Sequence, residues 1–293
     1  MKAFTALGQE EFYLVVLPAI YWCVNAALGV RIGCMLIITT SFNSMLKLVF
    51  TSPRPYWIDA RVKGIVTEPS FGLPSGHAMN STGLWGYFSS QVKKRWFSIL
   101  VGVIVFMIGL SRIALGVHFT SDVLAGWLAG GLLLAAFLKW EKPVSDWIKR
   151  MAVQTQILWA VLSSLGIIAV TLVLIAIDSP WNPPAAWLAN APDIAPLDPS
   201  GPVSLAGVWL GFACGLAWLH KRHGLLKPAK SFKLKVLRYV IGMVGTGVIY
   251  AGLAAFFPHG LDIMAMGLRY VRYAFIGAWV GAFAPLVFLY LKV

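Results

Sequence analysis

The sequence predicts an all-α fold, a polytopic bundle of transmembrane helices, and three observations predict it. Of the 293 residues, 59% are hydrophobic and the mean hydropathy is +0.77, whereas globular domains run near 45–50% apolar. Charged residues make up only 12%, about half the usual share. Apolar runs recur along the whole chain, each long enough to cross a hydrocarbon core about 30 Å thick.

Nine spans are expected, at roughly 12–29, 31–50, 77–92, 97–113, 121–138, 157–177, 203–219, 237–257 and 271–291. The first is not expected to be a cleavable leader: Glu10 and Glu11 stand where a basic region would be, and no small-residue cleavage pattern closes the run. Asn25 and a tight turn at Gly29 to Arg31 leave a re-entrant segment as an alternative there. The second span ends on Lys47. The third is short and carries Asn80, Ser81, Thr82, Ser89 and Ser90, which suits burial among helices rather than contact with lipid. Ser111 and Arg112 close the fourth, and Asp122 opens the fifth.

A charged stretch from Lys139 to Arg150 follows. The first five spans hold every chemical motif, so the expected partition is a catalytic core at 1–140 and a C-terminal transmembrane extension at 141–293. Between the sixth and seventh spans, residues 178–202 hold seven prolines with Trp181 and Trp187. That density stops a helix. The segment reads either as an extended connector with its tryptophans at the bilayer interface or as a lid. Gly207, Gly211 and Gly215 repeat every four residues, as do Gly126 with Gly130 and Gly277 with Gly281. Small residues at that spacing let helices approach closely, within one chain or across a homodimer.

The net charge is +13, but the basic residues cluster in alternate loops. In a membrane protein this reads as topology and contact with anionic headgroups, not nucleic-acid binding. One set of loops holds sixteen Lys and Arg and the other seven. The richer set is expected in the cytoplasm, which puts the N-terminus and the loops 51–76, 113–120 and 178–202 outside. Cys23, Cys34 and Cys214 lie in apolar runs with no metal-ligand spacing and read as packing residues.

Three blocks at helix ends are candidates for chemistry, and each alone also has a plain reading. Lys47 and Arg54 then read as headgroup contacts, His77 as a solvated residue, and Asp122 as a helix cap beside an incidental His118. Lys47 sits at a costly depth beside Leu46, Leu48, Val49 and Phe50. Arg54 follows seven residues on, about two helical turns, so the two point one way if the helix persists. Pro53 and Pro55 fix the chain around it. In the second block, Pro74-Ser75-Gly76-His77 opens a span. Ser75 suits the N-cap, Gly76 permits close backbone approach, and the helix N-terminus suits an anion beside His77. In the third, Ser111-Arg112 is followed by His118 and Asp122, four apart and thus on one face. A carboxylate on one imidazole nitrogen leaves the other as a nucleophilic lone pair.

The pattern Lys-x6-Arg-Pro, Pro-Ser-Gly-His, Ser-Arg-x5-His-x3-Asp over residues 47–122 resembles the signature of the type 2 phosphatidic acid phosphatase superfamily. That family includes membrane lipid phosphate phosphatases, glucose-6-phosphatase and vanadium haloperoxidases. The resemblance implies His118 as nucleophile, Asp122 as its orienting carboxylate and His77 as the acid for the leaving group. It implies Lys47, Arg54, Arg112, Ser75 and the Gly76 N–H as phosphate ligands. No cofactor and no metal are expected: Asp122 is committed to His118, while Asp59 and Glu68 read as ordinary loop charges.

The expected function is a membrane-embedded phosphatase acting on a lipid phosphate or polyprenyl (pyro)phosphate, such as undecaprenyl pyrophosphate. The expected setting is the bacterial inner membrane, with the site facing the periplasm or exterior. A phosphotransferase using the same phosphohistidine is the alternative, and a transporter or flippase is a third class. Spans six to nine show no obvious ion-relay residues.

Overall fold

The computed structural model describes residues 1–258 and 260–293, and only the backbone of Lys2, Glu10 and Glu11. Among these residues the structure is helical, with no strand. In order the helices are α1 Lys2–Ala6, α2 Glu10–Ala19, α3 Ala26–Phe50, α4 Pro55–Ile58, α5 Gly76–Val92, α6 Arg95–Ala114, α7 Thr120–Arg150 and α8 Val153–Asp178. They continue with α9 Ala185–Asn190, α10 Ser200–His223, α11 Phe232–Phe256, α12 Ile263–Ala278 and α13 Ala284–Tyr290. Short π-helical turns at Ile20–Val24 and Trp279–Phe283 extend α2 and join α12 to α13.

Seven of the described helical stretches are long and apolar enough to cross a membrane. The Phe12–Val24 stretch is apolar but shorter, and α5 has 17 residues with a polar buried face including Asn80, Ser81 and Ser89. All nine expected spans therefore correspond to helices, two of them short. The chain is an integral membrane protein. The first span ends early because Asn25 turns extended and its Oδ1 accepts the Leu28 N–H at 3.0 Å, which starts α3. A side chain on Gly29 would come within 2.5 Å of the Tyr21 backbone.

The chain forms two compact units: Met1–Tyr13 with Cys34–Lys142 and Thr171–Asp198, and Leu14–Gly33 with Pro143–Val170 and Pro199–Val293. In the first, Leu48, Tyr56, Trp57, Phe71, Leu115, Val117 and Ala191 form an apolar plate under the loops at the ends of α3 and α6. Fully burying Trp57 and Phe71 is worth roughly 2–3 kcal/mol each. The 178–198 segment packs on the loops of the first unit. Trp181 meets Phe71 edge-on at 5.3 Å and Trp187 leans on Trp57 at 6.4 Å. Asn190 donates to Trp57 O at 3.0 Å and Ala195 N to Pro69 O at 3.1 Å. It is a strap over the 55–71 loop.

Glycines set the helix approaches within each unit. A Cβ at Gly126 would lie 2.7 Å from Ser75 O, and one at Gly130 2.6 Å from Met79 O, so α7 lies directly against α5. In the second unit, Gly207, Gly211 and Gly277 abut the backbones of Tyr270, Ala274 and Val208 respectively. These repeats serve packing between α10 and α12 of one chain.

Candidate active site

The first unit brings the three blocks to one place. α3 stops at Phe50, Thr51 takes a left-handed φ of 44°, and α4 begins only at Pro55. The helix does not persist from Lys47 to Arg54. The two cations meet instead through Ser70: Lys47 Nζ donates to its Oγ at 2.8 Å and Arg54 Nη2 at 3.2 Å. Arg54 is fully buried and also donates to Ser70 O, Phe71 O and Val117 O. Its guanidinium thus ties the 70–71 loop to the turn at Val117 while facing His118.

His118 lies in the short turn between α6 and α7, 3% exposed. Arg54 Nη1 is 3.2 Å from its Nε2, and Asp122 Oδ2 is 3.2 Å from its Nδ1. A guanidinium only donates, so Nε2 is the acceptor and the proton sits on Nδ1, shared with Asp122. Asp122 Oδ2 also accepts Phe119 N at 2.9 Å, which fixes the carboxylate at the start of α7. Burial first, then the charges of Arg54, Lys47 and Arg112, push the His118 imidazole well below its ordinary range and keep it neutral.

Ser75 takes the N-cap position of α5, but its hydroxyl makes no capping bond and is buried without a partner. Gly76 is required by space: a Cβ there would meet Asn43 Oδ1 at 2.9 Å. Asn43 holds the turn by donating to Pro74 O at 3.1 Å. His77 follows on the first turn, with Nε2 buried and unpartnered. Gly8, just after α1, packs against it, a Cβ there standing 3.2 Å from His77 Cδ2. From the last turn of α6, Arg112 donates to Thr5 Oγ1 at 2.7 Å and to Glu68 Oε1. Its Nε is a third buried group without a partner. Three such orphans around a set of cations describe a place shaped for an oxyanion.

Glu68 is the residue that sequence reasoning misplaced. It is no ordinary loop charge: it pairs with Arg112 and lies 3.6 Å from Arg54 Nη2. Burial works to raise its carboxyl, yet Arg54 and Arg112, then Lys47, hold it down to about 2. Its carboxylate sits where an anionic ligand of both arginines would sit. Ser70, Thr5 and Asn43 were also missed, since each acts through loop geometry that no periodicity announces. Asp59 does behave as an exposed loop charge, paired with Arg61 at 2.7 Å. A cavity of about 560 Å³ adjoins Glu68 between the 56–69 loop and residues 189–194.

Comparison with known proteins places this arrangement. The PAP2 superfamily pattern matches residues 28–146, and that of the PAP2 superfamily phosphatase transmembrane extension matches 203–293. Phosphatidylglycerophosphatase B of Bacillus subtilis (strain 168) is 32% identical over 147 residues, covering 45% of this chain and 70% of that protein. The chain belongs to the PAP2 superfamily. Among PAP2 relatives, mouse sphingosine-1-phosphate phosphatase 2 is 30% identical over 44% of this chain and 38% of its own length. Rat sphingosine-1-phosphate phosphatase 1 is 25% identical over 82% of this chain and 56% of its own length. The chain thus spans about half or less of those two relatives. The crystal structure of a transmembrane PAP2 type phosphatidylglycerolphosphate phosphatase from Bacillus subtilis aligns with a TM-score of 0.42, at 27% identity over 49% of this chain and 75% of that one.

Proposed function

We propose that this PAP2 chain hydrolyses the phosphate of a membrane lipid through a phosphohistidine on His118. The observation that carries this reading is the His118 imidazole, held by Asp122 at Nδ1 and by Arg54 at Nε2. A neutral ring so fixed presents one lone pair in the midst of cations that a phosphate would neutralise. The relatives' names, phosphatases of phosphatidylglycerophosphate and of sphingosine-1-phosphate, support the class.

In the proposed reaction a dianionic phosphate displaces Glu68 from Arg112 and Arg54. Lys47, Arg54 and Arg112 hold its oxygens, with the Ser75 hydroxyl and the Gly76 N–H at the start of α5. Arg54 moves its Nη1 donation from His118 to a phosphoryl oxygen, which frees the lone pair. Nε2 then attacks phosphorus as the bond to the lipid oxygen breaks. His77, which takes up a proton as the phosphate dianion arrives beside it, gives that proton to the lipid oxygen, and Asp122 stabilises the charge left on the His118 ring. Water next attacks the phosphohistidine, loses its proton to His77 and returns His118 with inorganic phosphate.

Side chains supply all the charge neutralisation in this scheme, so turnover is expected to need no metal. Placement at helix ends lets a headgroup enter while the tails stay in the bilayer. Phosphatidate, phosphatidylglycerol phosphate and polyprenyl (pyro)phosphates all fit. Catalysis is assigned to residues 1–140, with 141–293 as an extension, and the site to the exterior face of a bacterial inner membrane.

The test is phosphate release from a panel of purified lipid phosphates in mixed micelles, with acid-labile phosphate on the protein measured after rapid quench. Wild type should release phosphate in the presence of chelator and be inhibited by vanadate. His118→Ala should do neither and carry no label. A turning-over His118→Ala enzyme, or one that requires added magnesium, overturns the scheme.

A further inference from the structure

The second unit holds a buried cation that the proposed chemistry does not use. Arg272, on α12, is 5% exposed, and its Nε is buried with no hydrogen-bond partner. The side chain is gripped by rings instead: its guanidinium lies 5.3 Å from the Tyr250 centroid and 5.2 Å from that of Tyr273. Cation–π contact satisfies the face of a guanidinium but not the donors along its edge. Three residues earlier and on the same helical face, half-buried Arg269 makes one long bond, 3.5 Å, to Ser204 Oγ on α10.

No carboxylate pairs with either arginine among the described residues of the unit. Its segments contain two acids, Asp146 and Asp262. Asp146 faces Lys149 at 3.8 Å, and Asp262 is spent as the N-cap of α12, accepting Ala265 N at 3.0 Å. Other hydroxyls stand close by: Tyr270, next to Arg269, shares a 2.8 Å bond with Ser164 Oγ. An arginine inside a membrane segment is costly to hold there and ordinarily marks a site, with a partner to be named.

The surroundings say what that partner is. Tyr250, Val271 and Phe275 are 49%, 40% and 53% exposed, so the pair lies beside a largely apolar surface suited to lipid. Arg272 lies ten residues beyond the α12 cap, about 15 Å along the helix, in the first half of the 28-residue helical stretch Ile263–Tyr290. At about 42 Å that stretch is longer than a span of about 30 Å needs and so reaches into the headgroup layers. A phosphate there would give both guanidinium edges charged acceptors, in the bidentate manner arginine favours.

We propose that Arg269 and Arg272, with Ser204 and Tyr250, form a second phosphate-recognising site in the C-terminal unit, occupied by the headgroup of an anionic phospholipid. The site is separate from the His118 chemistry and stands or falls without it. A free phosphate ion would share its chemistry, so the experiment carries an arm for each source.

The delipidated wild-type protein is photolabelled with a phosphatidylglycerol bearing a diazirine in its upper acyl chain, and labelled peptides are mapped. Label is expected on the stretches around Tyr250 and 264–275, competed by unmodified phosphatidylglycerol but not by phosphatidylcholine of the same chains. Arg272→Gln and Arg269→Gln should each weaken this label about tenfold or more. Lys230→Gln, in the basic loop before α11, should leave it unchanged. Arg272→Lys checks folding: a protein with unchanged thermal unfolding and weakened label reports the lost bidentate contact. Equal competition by phosphatidylcholine, or full labelling of a folded Arg272→Gln protein, overturns the site. Competition by inorganic phosphate at the potency of phosphatidylglycerol overturns the lipid assignment in favour of the free ion.

Discussion

Single residues divide the candidate site into chemistry and scaffolding. Asp122→Asn should keep the fold and lower the rate by about 10²–10⁴, because an amide no longer selects the Nδ1–H tautomer. Arg54→Lys should fail for a different reason. Arg54 spreads its donors over Ser70, Phe71, Val117 and His118, and one ammonium cannot span that fork. A loss of about a hundredfold in kcat/KM is expected, and near-normal turnover would reduce Arg54 to a headgroup contact. Glu68 gives a prediction in pH. Its carboxyl is held down to about 2, below its usual value of about 4.3. The stability it contributes is therefore complete above about pH 4.3 and is lost as pH falls toward 2. Glu68→Gln should flatten the fall in thermal unfolding temperature over that window. It should also tighten inhibition by inorganic phosphate roughly tenfold, about 1.4 kcal/mol, since the anion no longer displaces a carboxylate. Unchanged inhibition would show that Glu68 and phosphate do not compete. The sequence made the His118–Asp122 pair legible through a four-residue spacing across the start of a helix, although His118 itself lies in the turn before α7. It hid Glu68 because a carboxylate eight residues from any helix looks solvated until the loop is folded.

At the scale of elements, geometry at a distance should control the same chemistry. Gly126 lets α7 lie against α5, with Ser75 O 2.7 Å from where its Cβ would be. Val at 126 has to push apart the helix that carries Asp122 and the turn that carries Ser75. Gly126→Val should lower activity by more than tenfold while Gly131→Val, where a Cβ meets nothing within 4 Å, leaves it near normal. Equal rates for the two would mean that α5 and α7 slide without cost. The strap offers a parallel case: Trp181→Ala and Trp187→Ala remove rings from Phe71 and Trp57 and loosen the loop that carries Ser70. The nine apolar runs were readable by length and composition, as was the value of the glycine repeats. The strap was not, since proline content says only that a long helix is absent, while its docking depends on Trp57 and Phe71, far away in sequence. The break at Thr51 was equally hidden, because a left-handed residue that is not glycine leaves no signature.

For the molecule as a whole, the remaining question is which side of the membrane the chemistry faces. Positive charge bears on it by physics independent of the motif residues: loops rich in Lys and Arg are retained in the cytoplasm. The loop at 93–95, the stretch 139–150 and residues 221–238 hold most of the basic residues, while Arg54 and Arg112 on the opposite side are committed to the site. This balance is the ground on which the loops of His118, Glu68 and the strap are proposed to lie outside. It does not depend on whether Phe12–Val24 crosses the bilayer or turns back, because the count rests on spans that follow it. Single cysteines at Lys94 and Asn182, both exposed, in a background lacking Cys23, Cys34 and Cys214, make the orientation measurable. In intact cells an impermeant thiol reagent should modify position 182 and leave 94 untouched until the membrane is opened. The opposite pattern would put the phosphatase chemistry on the cytoplasmic leaflet. Its substrates would then be lipids made and consumed on that side, rather than carriers whose phosphate is exposed to the exterior.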